Sequence, residues 1–185
     1  QAPPRHLDVY SDSDHAGCRR TRQSTSSSIL RHGSHTIRCA ATTQKVVALS
    51  SAESEFYAAV RSGSMLIGFA SMATDFGYNT YGRRLWMDAS AGLGIVQRRG
   101  VGRLRHLETQ TLWIQRAIAE RRMSAHKVPG ESNVADLCTK HVDRKVMERH
   151  LHALGFEFRS GRSNLSLTAA PQTLEPSADQ EATAT

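Results

Sequence analysis

The chain has 185 residues, enough for one domain of ordinary size with its own core and a tail. Cys18, Cys39 and Cys138 are odd in number and widely spaced, which argues against a disulfide framework and for a reducing, intracellular setting; without a CxxC pair they do not make a standard zinc pattern either. No apolar run reaches membrane-spanning length and no signal peptide opens the sequence.

The formal charge of +7 is unevenly placed. After Arg162 the chain carries Glu175, Asp179 and Glu181 and no base, so residues 1–162 hold +10. A basic body favours a polyanionic partner, nucleic acid being the commonest. Arginine-rich composition is the plain alternative, since 20 of the bases are Arg and 4 are Lys.

In chain order, "HLDVYSDSD" alternates Leu7 and Val9 with polar residues and reads as a strand ending in acids. A turn-rich link with Arg19, Arg20 and Arg22 follows, then "SSILRHGSHTIRCAA", a hairpin around Gly33. "VVALSSAESEFYAAV" opens a helix. Ser50 is its N-cap and Glu53 stands at N3, a capping box. Ala52, Phe56, Ala59, Val60, Gly63 and Ile67 make one apolar stripe. Glu53 and Glu55 point to nearly opposite sides of this helix. Glu53 is accounted for as a cap, whereas Glu55 falls on the stripe's margin, half-buried and without a local partner, which is costly.

"RRLWMDAS" is a further strand ending in Asp88, followed by a short helix at "AGLGIVQR". "LETQTLWIQRAIAERR" is expected to be a helix with Leu107, Ile114, Ala117 and Ile118 inward. "MSAHKV" is a strand, and Pro129-Gly130 turns into a helix start that contains Asp136. "VDRKVMERHLHALGF" closes the fold with Val142, Val146, Met147, Leu151 and Leu154 on one side. These elements make a single α/β domain over residues 1–158. Small polar residues and proline predict a disordered tail over 159–185.

Asp12, Asp88 and Asp136 thus stand at strand ends and a helix start, where α/β folds build sites, and Glu55 is a fourth candidate. Clustered carboxylates stay ionised together only with bound cations or added protons. Oxygen ligands suit Mg²⁺ or Mn²⁺, and two such ions can support phosphodiester cleavage. Read singly, each acid is better explained as a cap or surface charge, as Asp14 is; four at element ends favour a site.

The stretches "VYSDSDHAG", "TTQKVVALSSAESEFYAAV", "LWMDASAGLGI", "RHLETQTLWIQRAI" and "VPGESNVADLCTK" resemble the ribonuclease H domain of copia-type LTR retrotransposon polyproteins, from about Val9 to Phe156. The resemblance implies an RNase H-like fold, a mixed sheet with an antiparallel hairpin first, flanked by helices. It implies metal-dependent endonucleolytic cleavage of the RNA strand of RNA/DNA hybrids, with two Mg²⁺ ions held by Asp12, Glu55, Asp88 and Asp136. In those roles Asp12 and Asp88 hold or bridge metals, Glu55 orients the attacking water and Asp136 completes the second site. It also implies a reverse transcriptase domain in the same polyprotein, which fits the Gln1 start, and a cytoplasmic, virus-like-particle or nuclear location.

His15, Ala89, Ser27-Ser28 and His141 depart from the family's usual residues, which bears on substrate grip rather than on the acids. Arg19, Arg20 and Arg22 are the leading phosphate contacts, with a solvated loop as the alternative. Ser50 and Ser51, at the helix start, and Lys140, four residues after Asp136, are further nucleic-acid candidates. His106 and His126 are weaker candidates for proton transfer. Two other classes stay open: a catalytically inactive hybrid-binding module and another RNase H-superfamily nuclease.

Overall fold

The computed structural model describes residues 4–78, 81–102, 106–107, 109–159 and 161. Most of the expected tail, residues 162–185 and 160, lies outside them. Five strands form one sheet in the order β3-β2-β1-β4-β5: β1 (His6–Ser13), β2 (Thr25–His32), β3 (His35–Thr43), β4 (Gly82–Met87) and β5 (Ser124–Lys127). β1 to β3 form an antiparallel meander, while β4 and β5 join β1 in parallel. The sheet is mixed and opens on an antiparallel hairpin, as the sequence implied.

The hairpin turns at Gly33, whose φ of +61° is a conformation that side-chain-bearing residues rarely adopt. The link before it is shaped by Asp14, whose Oδ1 accepts the Thr25 N–H at 2.5 Å. Asp14 is therefore structural.

The long helix α1 (Ser51–Asp75) covers one face of the sheet, with Leu7, Val9, Leu30, Phe56, Leu66, Leu85, Met87, Ile95 and Ile114 in the core between them. Its N-cap is Ser50, whose Oγ accepts the Glu53 N–H at 3.2 Å. The reciprocal half of the box differs from expectation: Glu53 Oε2 accepts the N–H of Leu49 at 2.9 Å, one residue earlier than the cap.

The buried face of α1 is rotated from the predicted stripe. Of the predicted stripe Phe56, Ala59 and Gly63 are buried, whereas Ala52, Val60 and Ile67 are only half-buried; Glu55, Ala58, Ser62, Leu66, Ala70 and Ala73 are buried as well. Small residues and serines let the helix lie close to the sheet, and they pair with polar strand residues: Ser62 Oγ meets Ser28 Oγ at 2.7 Å, and Ser13 Oγ donates to Ser54 Oγ at 3.0 Å. Large apolar residues alone do not mark this seam. Glu55 consequently sits in the centre of the buried face, 5% exposed, and not on its margin.

α2 (Ser90–Gln97) follows β4 directly. The next helix is shorter than expected: Thr109–Leu112 is a 3₁₀ turn and only Trp113–Ala119 (α3) is α-helical. Threonines at 109 and 111 are weak helix formers, and no side chain caps α3 at its N-terminus. Leu107, Ile114 and Ala117 are buried as predicted, with Ile118 half-buried.

The segment after β5 also differs. Instead of an α-helix it makes two 3₁₀ turns, Gly130–Ser132 and Val134–Cys138. The opposite sheet face carries a small cluster of Ile29, Val134 and Leu154 beside α4 (Arg144–Ala153). Val146, Met147 and Leu151 are half-buried there, and the buried residue within α4 is His150. No helix among the described residues is long and apolar enough to cross a membrane.

Candidate active site

Parallel pairing of β1 with β4 places Ser11 opposite Met87. The next residue of each strand is an acid, so Asp12 and Asp88 lie together at the same edge of the sheet. Asp136 is brought to them by the 3₁₀ turn that follows β5. Asn133 fixes that turn: its Nδ2 donates to the Ser11 carbonyl at 3.2 Å, and its Oδ1 accepts the Ala135 N–H at 3.3 Å. Asn133 is fully buried, and sequence reading gave it no role. An Asn before a helical turn looks like a cap, which it also is; its second contact depends on the tertiary fold.

One carboxylate oxygen from each of Asp12, Asp88 and Asp136 lies within 4.8 Å of the others. Lys140 joins them, its Nζ 3.0 Å from Asp12 Oδ1, 2.8 Å from Asp136 Oδ1 and 3.9 Å from Asp88 Oδ2. The Thr139 hydroxyl donates to Asp12 Oδ2.

Glu55 comes from α1. Its Oε1 accepts the Ser13 N–H at 3.3 Å, while its Oε2 is buried without a hydrogen-bond partner among the described residues. A glycine makes room for it: a Cβ on Gly92 of α2 would lie 2.8 Å from Glu55 Cβ. All four predicted acids therefore stand at one end of the β1–β4 pair, three in direct mutual reach and Glu55 beside them.

Electrostatics match that crowding. Burial, then the charges of Asp12 and Asp88, pushes the Glu55 carboxyl up to about 8; the Ser13 amide and Lys140 pull the other way. Burial likewise raises Asp12 to about 6, against the Thr139 hydrogen bond and the Lys140 charge that lower it. Burial alone would lower the Lys140 pKa, but its bonds and charge pairing with Asp136 and Asp12 hold it above its ordinary value. An excess of negative charge is packed here with one cation among it.

The chemistry of the donor set fits a hard divalent cation. The ligands are all oxygens, three of them lie within 4.8 Å of one another, and beside them the buried Glu55 Oε2 has no hydrogen-bond partner among the described residues.

The other candidates are placed as follows. Arg19, Arg20 and Arg22 are exposed on the turn after β1 and make no ion pair among the described residues. Ser50 spends its hydroxyl on the α1 cap, and Ser51 is exposed in the first turn. His106 lies away from the acids' contacts and pairs with Glu53, Nε2 to Oε2 at 2.9 Å. Its partner is 2% exposed, so Glu53 is buried and bound twice, more than a surface cap. His126, on β5, packs on the Trp86 ring at 4.9 Å and contacts Ser124 Oγ at 2.7 Å.

No protein-family model matches the chain. The retrovirus-related Pol polyprotein from transposon TNT 1-94 of Nicotiana tabacum is 25% identical over 143 residues, which are 77% of this chain and 11% of that polyprotein. The chain thus spans a small part of that relative's length. Among solved structures, LC11-RNase H1, isolated from compost, is similar with a TM-score of 0.49 at 15% identity, over 80% of this chain and 99% of the other. LC11-RNase H1 in complex with an RNA/DNA hybrid gives 0.47 at 16% identity, over 71% and 92%. RNase H1 from the halophilic archaeon Halobacterium salinarum gives 0.43 at 17% identity, over 72% and 93%. The strand order and directions make the fold RNase H-like, and the similarity to a transposon Pol polyprotein is the one the sequence motifs pointed to.

Proposed function

We propose that this chain is the ribonuclease H domain of a copia-type retrotransposon polyprotein, and that it hydrolyses the RNA strand of RNA/DNA hybrids endonucleolytically with divalent metal. The observation that carries this is the convergence of Asp12, Asp88 and Asp136 from separate parts of the chain, with Glu55 close enough to feel the charges of Asp12 and Asp88 and its buried Oε2 without a hydrogen-bond partner among the described residues. Mg²⁺, with Mn²⁺ as the alternative, is the expected ion, held by Asp12, Asp88 and Asp136 with Glu55 beside them. When bound it supplies charge neutralisation at the phosphate and activation of water.

The chain's own residues supply the rest. Asp12 and Asp88 are held rigid by the strands they end. Glu55, fixed through Ser13, stands beside the cluster and accepts or passes a proton at Oε2. Arg19, Arg20 and Arg22 attract the hybrid backbone, as does the +10 body. An A-form-like hybrid would be recognised through phosphates and 2′-hydroxyls, not base edges. A reverse transcriptase domain of the same polyprotein is the proposed covalent partner.

The test is cleavage of end-labelled RNA/DNA, RNA/RNA and DNA/DNA duplexes with and without Mg²⁺. Internal cuts in the RNA of the hybrid alone, only with metal, are expected. Metal-independent cleavage, or equal cleavage of DNA/DNA, contradicts the reading.

A further inference from the structure

Lys140 stands where the acids converge. Three carboxylate oxygens, each from a different aspartate, surround its ammonium at 2.8, 3.0 and 3.9 Å. The pair with Asp136 is an ordinary i, i+4 contact. The bond to Asp12 is not: it joins residues 128 apart in sequence and closes the final turn onto the first strand. An ammonium is a compact point charge with three donors and no fixed fork, so it can serve three oxygens from different directions.

A divalent ion and this ammonium compete for the same oxygens. Like charges at contact distance repel, and the lone pairs that a cation needs are those the Nζ–H groups occupy. The lysine can leave. Its side chain is 43% exposed, whereas that of Asp12 is 0% exposed. Its four-carbon stem can swing by rotamer changes alone, without movement of the backbone. Swinging outward carries the charge to the solvent side of the cluster, from which a polyanion must approach.

We infer that Lys140 is an exchangeable counter-ion: it neutralises the acid cluster in the metal-free protein, divalent metal displaces it, and the released ammonium then contacts a phosphate of the nucleic acid. The inference rests on the metal-dependent nuclease reading and adds a coupling to it. Each metal-binding event frees a phosphate contact, so metal and polyanion strengthen one another's binding.

The test compares wild type, Lys140→Met and Asp12→Asn in Mn²⁺ binding, followed by electron paramagnetic resonance at fixed pH and salt. Lys140→Met should bind Mn²⁺ about tenfold more tightly than wild type, equivalent to about 1.4 kcal/mol, and Asp12→Asn more weakly. Equal affinity in wild type and Lys140→Met, with Asp12→Asn weakened, overturns the exchange and leaves the metal site standing. Equal affinity in all three overturns both.

Hybrid binding gives a second readout. The slope of log K against log salt should fall by about one in Lys140→Met when Ca²⁺ is present and stay unchanged in chelator. The same change in both conditions, or in neither, overturns the transfer to phosphate. If Lys140→Met does not fold, wild type carries the test, because the chain has only four lysines to assign by NMR. The Lys140 ammonium signal, protected by its carboxylates, should lose that protection on Mg²⁺ titration; a signal unchanged at saturating Mg²⁺ overturns the inference.

Discussion

Glu55 shows how far a single carboxylate can be displaced from its solution behaviour. Its folded pKa, about 8, stands above the ordinary 4.5, so the folded state takes up a proton that the unfolded chain releases. The sign follows from linkage: its contribution to stability is lost as pH rises from about 4.5 through about 8. In metal-free buffer, wild type should therefore lose stability across that window relative to Glu55→Gln. At about 1.4 kcal/mol per unit of displacement the gap should reach a few kcal/mol at the alkaline end. Urea titrations at several pH values measure it, and a gap that does not widen with pH contradicts the assignment. Glu53, two residues earlier, makes a different prediction. It holds Leu49 N–H and His106 from a buried position, so Glu53→Gln should cost about 1–3 kcal/mol while single-turnover cleavage by the folded fraction stays near wild type. Loss of turnover at full stability would reverse the roles of the two glutamates. The four acids were legible in the sequence because each lies at an element end or on a marked helix. Lys140's second and third partners were not. Only its i, i+4 spacing to Asp136 is local; the contacts with Asp12 and Asp88 exist only after the chain has closed.

At the scale of elements, the strands and the capped start of α1 read well, because alternation and caps are local signals. The orientation of α1 did not. Beside Phe56 and Leu66 its buried seam is built from alanine, serine and glycine, which a stripe of large apolar residues cannot mark, and Ser54 and Ser62 meet serines of the sheet. The 3₁₀ turn bearing Asp136 has the sequence of an α-helix start, because a cap followed by apolar residues signals both. Close packing of α1 against α2 has a consequence at Gly92, where a methyl group would meet Glu55 Cβ at 2.8 Å and Met87 Cε at 3.1 Å. Neither neighbour can retreat freely, since Glu55 is tied to Ser13 and Met87 is fully buried. Gly92→Ala should lower stability by about 1–3 kcal/mol and weaken Mn²⁺ binding by displacing Glu55. Thermal melts and metal titration check this; an unchanged metal affinity would show that Glu55 does not contribute to the cation site.

At the scale of the molecule, the sheet order brings the C-terminal ends of the parallel β1–β4 pair together, and the acids follow from that placement. The sequence could rank Asp12 and Asp88 as strand-end residues, but their adjacency depends on strand order, which pairing alone decides. Charge is the other global feature. With residues 1–162 at +10, hybrid binding should weaken steeply with salt. Replacing Arg19, Arg20 and Arg22 by alanine should reduce the slope of log K against log salt by about one for every phosphate left without its arginine. That exposed turn is separate from the acids' contacts, so the rate of the bound complex should change little. An unchanged slope would place the hybrid elsewhere on the basic surface. On the proposed reading the acid cluster performs hydrolysis. The most direct measurement of this is the single-turnover rate of RNA/DNA hybrid cleavage in saturating Mg²⁺ by wild type and by Asp88→Asn, with hybrid binding measured alongside. Asp88→Asn should bind the hybrid as wild type does and cleave at least about a hundredfold more slowly, having lost a charge that would hold the metal. Cleavage at the wild-type rate would contradict that reading.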